Sequence, residues 1–129
     1  MRDAQPWQIT FFLELFKEFA QSNFYFVERQ KSLDCLAHLG ITVPQAKSEI
    51  MSLTHEDYHR GPLPDKGTTG GELWEFGKKI EGKEIFIRLK VVLQYNMAKC
   101  QSFHVAEKPL QYPYKGGGKE NESGSLSQL

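Results

Sequence analysis

The sequence has little of what several classes of protein require. Its 129 residues contain two cysteines, Cys35 and Cys100, and neither lies in a C-x-x-C pattern. We therefore expect no disulfide framework and no thiolate zinc site, but two free thiols in a reducing cytoplasm. No stretch approaches the roughly 20 apolar residues of a membrane span, and the first residues lack the basic start and apolar run of a secretory signal. The sequence predicts a cytoplasmic protein with no membrane contact.

The chain also lacks an excess of charge of either sign. Sixteen Lys and Arg residues balance sixteen Asp and Glu residues, so the total charge gives no argument for nucleic acid. The balance is uneven, because between Lys78 and Lys115 eight cations stand against three anions, a local charge of +5. This bias permits an anionic ligand, and it is equally typical of a solvated sheet face.

What the sequence does contain is enough apolar material for one core. It is 40% hydrophobic and has nine phenylalanines, each of which buries a large apolar area. We predict one domain over residues 1–115 and a flexible tail over the glycine-rich residues 116–129.

No Walker loop, nucleophile elbow, dinucleotide fingerprint or metal-spaced histidine pair occurs, so we predict neither cofactor nor metal.

The first half of the chain has the spacing of helices. Amphipathic helices are predicted over 9–20 and 32–39, the second ended by Gly40. A third is predicted over 42–53, opening at a capping box with proline in its first turn. Residues 24–28 are aromatic and β-branched and predict a short strand. Residues 61–71 are rich in glycine and proline and predict a loop.

The second half changes to the two-residue period of strands. Strands are predicted over 73–78 and 84–93, joined by a two-residue turn at Glu81-Gly82, and over 99–106. That turn places Ile80 opposite Lys83, which fixes the register of the whole hairpin. The predicted core face carries Trp74, Phe76, Ile85, Ile87 and Leu89. The predicted open face carries Glu75, Gly77, Phe86, Arg88 and Lys90. The fold class predicted is α+β, with N-terminal helices packed on one face of a C-terminal antiparallel sheet.

Two features near the end of this sheet matter for function. A three-residue turn around Tyr95-Asn96 puts His104 beside Arg88 on the open face, whereas a two-residue turn sends it into the core. Both alternatives stay open. Residues 109–114 contain two prolines, so they cannot continue a central strand, and we predict an aromatic strap along the domain.

The order and spacing of these segments resemble the MqsR-type toxins of bacterial type II toxin–antitoxin systems. The resemblance covers residues 9–115. The stretches that carry it are 53–58 (LTHEDY), 71–78 (GELWEFGK), 84–90 (EIFIRLK), 100–104 (CQSFH) and 112–115 (YPYK). It implies a RelE-like fold and a metal-independent endoribonuclease that cleaves messenger RNA. It also implies a cognate antitoxin protein that inhibits the toxin by binding it.

The resemblance assigns site residues and also shows where this chain departs from the family. The family's lysine after the Asp-Tyr segment falls on Arg60, which keeps the positive charge. Its glutamine after the tryptophan falls on Glu75, which adds a negative charge. Its tyrosine in the central strand falls on Phe86, which loses the hydroxyl. One polar function is kept and two are altered.

Metal-free RNA cleavage needs a base for the 2′-hydroxyl, cations for the phosphorane and an acid for the leaving oxygen. Arginine suits phosphate, a carboxylate or histidine suits the base, and histidine suits the acid. The candidate catalytic residues are Arg60, Glu75, Arg88 and His104. The candidate RNA-binding residues are Tyr58, His59, Phe86, Lys90 and Tyr112, of which the aromatic ones would stack on unpaired bases.

Several of these residues also have a purely structural explanation. Glu75 opposite Arg88 is equally a cross-strand ion pair on a solvated face. Phe86 opposite Gly77 would equally serve to cover the glycine. Two other functions therefore stay open. One is a catalytically inactive toxin fold that binds protein or RNA, and the other is a structural protein with no RNA contact.

Overall fold

Three α-helices and a five-stranded sheet make up the part of the chain that the computed structural model describes, residues 2–67 and 70–117. The helices are α1 (Pro6–Ala20), α2 (Gln30–Leu39) and α3 (Val43–Met51). The strands are β1 (Phe24–Phe26), β2 (Tyr58–Pro64), β3 (Glu72–Ile80), β4 (Lys83–Val92) and β5 (Met97–Val105). From residue 118 onward the predicted tail lies outside these ranges. Within them, no helix has the length and apolar character needed to cross a membrane.

The predicted helices are present, with shifted starts. In α3 the predicted capping box is confirmed, because Thr42 Oγ1 accepts the Gln45 N–H at 3.3 Å and Gln45 Oε1 accepts the Thr42 N–H at 2.8 Å. Helix α2 ends at Gly40 as predicted, with φ at +71°. It begins two residues before the predicted start, and its N-cap, Arg29, makes no capping bond from its side chain.

The sheet has the strand order β1-β5-β4-β3-β2. The predicted hairpin register of β3 and β4 is confirmed throughout, including Ile80 opposite Lys83. The predicted antiparallel arrangement of the C-terminal strands is confirmed for β2 to β5, but the sheet as a whole is mixed, because β1 pairs with β5 in parallel. The aromatic pattern of residues 24–26 identifies a strand but carries no information about its partner or direction.

The predicted loop over 61–71 is wrong in its first part, where β2 runs to Pro64 and pairs with β3. Proline cannot donate to a β-ladder, so it is confined to edges and irregularities. Both conditions hold here, since β2 is the last strand of the sheet and its register shifts on each side of Arg60.

The core lies between α1 and the predicted core face of the hairpin. Phe76, Ile85, Ile87 and Leu89 are fully buried there. The ring of Phe12 in α1 stacks on Trp74, with centroids 4.8 Å apart. The helix thus covers one face of the sheet.

Tyr58 belongs to this core, so its predicted stacking on an RNA base is wrong. It is fully buried and meets Phe76 edge-on. Its hydroxyl donates to the Gly61 carbonyl at 2.5 Å and accepts the Ala4 N–H at 3.1 Å. The start of β2 is held by these bonds.

Candidate functional site

Four residues on neighbouring strands form a row across the other face of the sheet. Arg60 in β2 lies opposite Glu75 in β3. Glu75 in turn lies opposite Arg88 in β4, and Arg88 lies opposite Ser102 in β5. Neighbouring strands lie about 4.8 Å apart, so the row is roughly 14 Å long.

The centre of the row is a carboxylate held by two guanidinium groups. Arg60 donates from Nε to Oε1 of Glu75 at 2.7 Å, and Arg88 donates from Nε and Nη2 to Oε2 at 3.1 and 2.8 Å. The Glu75 side chain is only 1% exposed, so this pairing is what makes its burial tolerable. Both oxygens are engaged beneath the arginines, and the predicted role of Glu75 as the base does not fit this geometry. Its carboxylate positions the arginines.

The two arginines keep donors available. The Arg60 side chain is 53% exposed and uses only Nε, while that of Arg88 is 29% exposed and uses Nε and Nη2. The remaining terminal nitrogens make no hydrogen bond to any residue that the structure describes. The Arg88 guanidinium also lies 5.3 Å from the centre of the Phe86 ring, a cation–π contact. The row therefore offers planar donors suited to phosphate.

A bulge in β5 decides where His104 lies. The connection from β4 spans residues 93–96, and in that register His104 would face the core. Leu89 pairs with Cys100 but Arg88 pairs with Ser102, so Gln101 is the extra residue and the register shifts by one. His104 therefore lies opposite Phe86 on the open face, with ring centroids 5.3 Å apart. This is the outcome expected of the three-residue turn, reached through a bulge.

Both histidines near the row are tied to the backbone through Nδ1. Nδ1 of His104 lies 2.9 Å from the Val105 carbonyl oxygen. Nδ1 of His59 lies 3.0 Å from the Gln111 amide nitrogen and 3.1 Å from the Gln111 carbonyl oxygen. In each ring this leaves Nε2 for other partners.

The predicted strap closes the groove on one side. Leu110 and Tyr112 cross the sheet at Gly77, where an added Cβ would lie 2.4 Å from Leu110 Cδ1 and from the Tyr112 hydroxyl oxygen. That hydroxyl donates to Glu84 at 2.8 Å, and burial together with this carboxylate raises the pKa of Tyr112 above its usual value. Tyr112 is thus a packing residue of the wall, and Gly77 is covered by the strap rather than by Phe86.

Lys90 lies further along β4 and does not reach the groove. It is 1% exposed, and its Nζ donates to Asp65 Oδ2 at 2.6 Å. This hydrogen bond lowers the pKa of Asp65 below its usual value. Gly71 covers the same side chain, since a Cβ added there would lie 3.3 Å from Lys90 Cε. The prediction that Lys90 contacts RNA is therefore wrong.

Together these residues line a groove of about 750 Å³. It brings together Arg60, Glu75, Arg88 and His104 with His59 and Phe86. It also contains residues that the sequence did not indicate, the first turn of α2 and Ser102. Ser102 could have been found from its position, since it lies two residues before His104 and shares its face.

Five cations and two carboxylates line the groove, a net charge of +3 with neutral histidines. The cations are Arg29, Lys31, Arg60, Arg88 and Lys108, and the carboxylates are Glu75 and Glu107.

Over residues 2–67 and 70–117, no three His, Cys, Asp or Glu side chains come together as ligands for a metal ion. The chain matches no model of a protein family, no curated protein and no solved structure.

Proposed function

We propose that this chain is a metal-independent endoribonuclease with a RelE-like fold, which cleaves messenger RNA and is inhibited by a cognate antitoxin protein. One observation carries the proposal. Two arginines anchored on a buried carboxylate line the same positively charged groove as two imidazole rings. Cations for the phosphorane, a base and an acid are the groups that this reaction needs.

His104 is the base. The Val105 carbonyl can only accept, so the neutral ring carries its proton on Nδ1 and donates it at 2.9 Å. Nε2 is then the nitrogen with a free lone pair. Its place beside Phe86 puts it next to the spot where an RNA base would stack.

His59 is the acid. In the neutral ring Nδ1 accepts the Gln111 N–H at 3.0 Å, and the proton lies on Nε2. In the charged ring Nδ1–H donates to the Gln111 carbonyl at 3.1 Å. One residue of the strap thus holds both protonation states, which favours a group that gains and loses a proton in each turnover.

The reaction uses no group from outside the RNA and the groove. The 2′-hydroxyl oxygen attacks the neighbouring phosphorus while its proton passes to Nε2 of His104. The bond from phosphorus to the 5′-oxygen breaks, and that oxygen takes a proton from Nε2 of His59. The products are a 2′,3′-cyclic phosphate and a 5′-hydroxyl, and solvent restores both histidines. Arg60 and Arg88 stabilise the charge on the equatorial oxygens.

The test is incubation of the purified full chain with messenger RNA in EDTA. Fragments with 2′,3′-cyclic phosphate and 5′-hydroxyl ends are expected. His104→Gln and Arg88→Ala should each lower the cleavage rate roughly a hundredfold. Lys83→Ala, which removes an exposed cation at the hairpin turn, is the matched control. Intact RNA at excess protein contradicts the proposal.

A second candidate is a binding module that keeps the fold and has lost catalysis. The complete pairing of Glu75 favours it, because a structural ion pair requires nothing more. Expression in cells separates the two. The ribonuclease predicts growth arrest that an Arg60→Ala, Arg88→Ala double variant relieves, whereas the binding module predicts RNA or protein binding without any cleavage.

A further inference from the structure

The first turn of α2 forms one wall of the groove and has unfilled donors. The N-cap Arg29 is extended, with φ −78° and ψ 153°, and gives no capping bond from its side chain. The first helical bond runs from the Leu33 N–H to the Arg29 carbonyl at 2.9 Å. Within the described part of the chain, the amides of residues 30–32 have no acceptor, and the first turn holds no acidic residue. A ten-residue helix carries partial positive charge at this end.

Ser102 gives a second and independent sign of a ligand. It is 5% exposed and lines the groove, yet its hydroxyl makes no hydrogen bond to any described residue. Over the described residues the only fully enclosed side-chain oxygen without a partner is that of Gln101, so the Ser102 hydroxyl is reached from the groove and can bond a ligand there. The Phe103 N–H donates to Ser32 Oγ at 3.3 Å, which joins β5 to the first turn of α2 and places Ser102 beside the open amides.

Arg88 supplies the third donor, since it lies directly opposite Ser102. Glu107, the one acidic side chain on this wall, is held by Lys31 at the rim. Backbone amides at a helix start, a hydroxyl and a guanidinium are three groups that bind phosphate oxygens. All three line the same groove, and Arg88 and Ser102 lie opposite each other on neighbouring strands.

We propose that the amides of residues 30–32, the Ser102 hydroxyl and Arg88 form a subsite for the RNA phosphate next to the scissile one. This assignment rests on the proposed ribonuclease. Arg60 and His59 lie at the opposite end of the groove, with Ser102 three strands away from Arg60. The scissile phosphate lies between the two ends, over the middle strands that carry Glu75 and Arg88 and between His59 on β2 and His104 on β5, and the strand of RNA continues from there towards α2.

Binding of inorganic phosphate tests the subsite without any cleavage. In the amide NMR spectrum of the full chain, phosphate should shift residues 30–32 and 102. Gln30→Pro removes one amide donor at a position where helices tolerate proline, after a residue that is already extended. Gln30→Ala removes the side chain alone, so the difference between the variants measures the amide. We expect the Pro variant to bind phosphate roughly tenfold more weakly than the Ala variant.

Cleavage of a short RNA tests the assignment to the substrate. A phosphate outside the bond that breaks contributes equally to ground and transition states, so Ser102→Ala should raise KM roughly tenfold and leave kcat unchanged. Ser48→Ala, at an exposed position of α3, is the matched control.

The outcomes separate the two proposals. Cleavage with wild-type KM in Ser102→Ala and equal phosphate affinity in the two Gln30 variants would overturn the subsite and leave the ribonuclease. Phosphate shifts confined to the Arg60 end would do the same. Phosphate shifts at α2 in a protein that cuts no RNA would support an anion site and overturn its assignment to RNA cleavage.

Discussion

Arg88 donates two hydrogen bonds, from Nε and Nη2, to a single oxygen of Glu75. The guanidinium is planar, so two bonds to one oxygen fix its plane as well as its position. Arg60 binds the other oxygen of the same carboxylate. The orientation of both cations in the groove is therefore set by one buried side chain.

Glu75→Gln should weaken both the fold and the site. The amide has nearly the same shape but no charge, so two guanidinium groups lose their counter-ion. Since both arginines are partly exposed, solvent screens them, and we expect the free energy of unfolding to fall by about 2 kcal/mol. Urea denaturation measures this, and Glu72→Gln, at an exposed carboxylate of the same strand, is the control. Unchanged stability and cleavage would show that Glu75 anchors neither arginine.

Gly77→Ala should displace the strap. The added Cβ would lie 2.4 Å from atoms of Leu110 and Tyr112, closer than any van der Waals contact allows. We expect a loss of about 2 kcal/mol of stability and faster proteolysis within residues 109–114. Tyr112→Phe removes only the hydroxyl bond to Glu84 and should cost about 1 kcal/mol. Equal effects of the two variants would mean that the strap does not depend on close approach at Gly77.

The Asp65–Lys90 pair should make stability depend on acid pH. Lys90 lowers the pKa of Asp65 in the folded state, so the unfolded state binds more protons at low pH. The contribution is fully present above the ordinary Asp pKa of about 3.9 and is lost as pH falls through the lower folded value. Asp65→Asn should lower the free energy of unfolding by about 2 kcal/mol at neutral pH, the worth of one charged hydrogen bond, and should make stability less dependent on pH below about 4. Glu14→Gln, an exposed carboxylate on α1, is the control, and an unchanged acid limb in Asp65→Asn would contradict this origin.

The cleavage rate should show a bell-shaped dependence on pH. His104 must be neutral and His59 charged, so activity falls on both sides of an optimum. The decrease of the rate at low pH comes from protonation of the base. His104→Gln should therefore retain slow cleavage whose rate no longer decreases as the pH is lowered. His38→Gln, at an exposed histidine outside the groove, is the control. An acid limb that persists in His104→Gln would assign the base to another group.

Thr42→Ala tests the start of α3. Removing the hydroxyl leaves the Gln45 N–H without its acceptor, and we expect a loss of about 1 kcal/mol. Thr42→Ser keeps the acceptor and should recover most of the stability in thermal unfolding. Equal losses in both variants would place the effect in the methyl group instead.

Local rules predicted the parts of the fold that depend on near neighbours. The two-residue turn has positive φ at both Glu81 and Gly82, the conformation that a short hairpin needs, and it fixed every pair from Ile80 to Trp74. The capping box at Thr42 worked for the same reason. The pairing of Glu75 with Arg88 followed from that register.

Apart from the starts of α1 and α2, which lie three and two residues before their predicted positions, the misses involve contacts between segments distant in the chain. Tyr58 is polar at one end, and only the Ala4 amide and the Gly61 carbonyl show that this end is satisfied within the core. Side-chain alternation along β4 puts Lys90 on the open face with Arg88. It is nevertheless buried, because Asp65 lies over it. Pro62 and Pro64 indicated a loop, but an edge position let them join a strand.

By itself the sequence determined the presence of the three helices, the end of α2 at Gly40, the hairpin register and the charged face, because turn chemistry and side-chain period act over a few residues. Only the tertiary structure decided which residues on that face share a groove. The bulge at Gln101 turned His104 outward, the strap covered Gly77, and the start of α2 came to lie beside Ser102. These three features depend on packing and on hydrogen bonds between segments far apart in the chain. A pattern of neighbouring residues contains no information about such contacts.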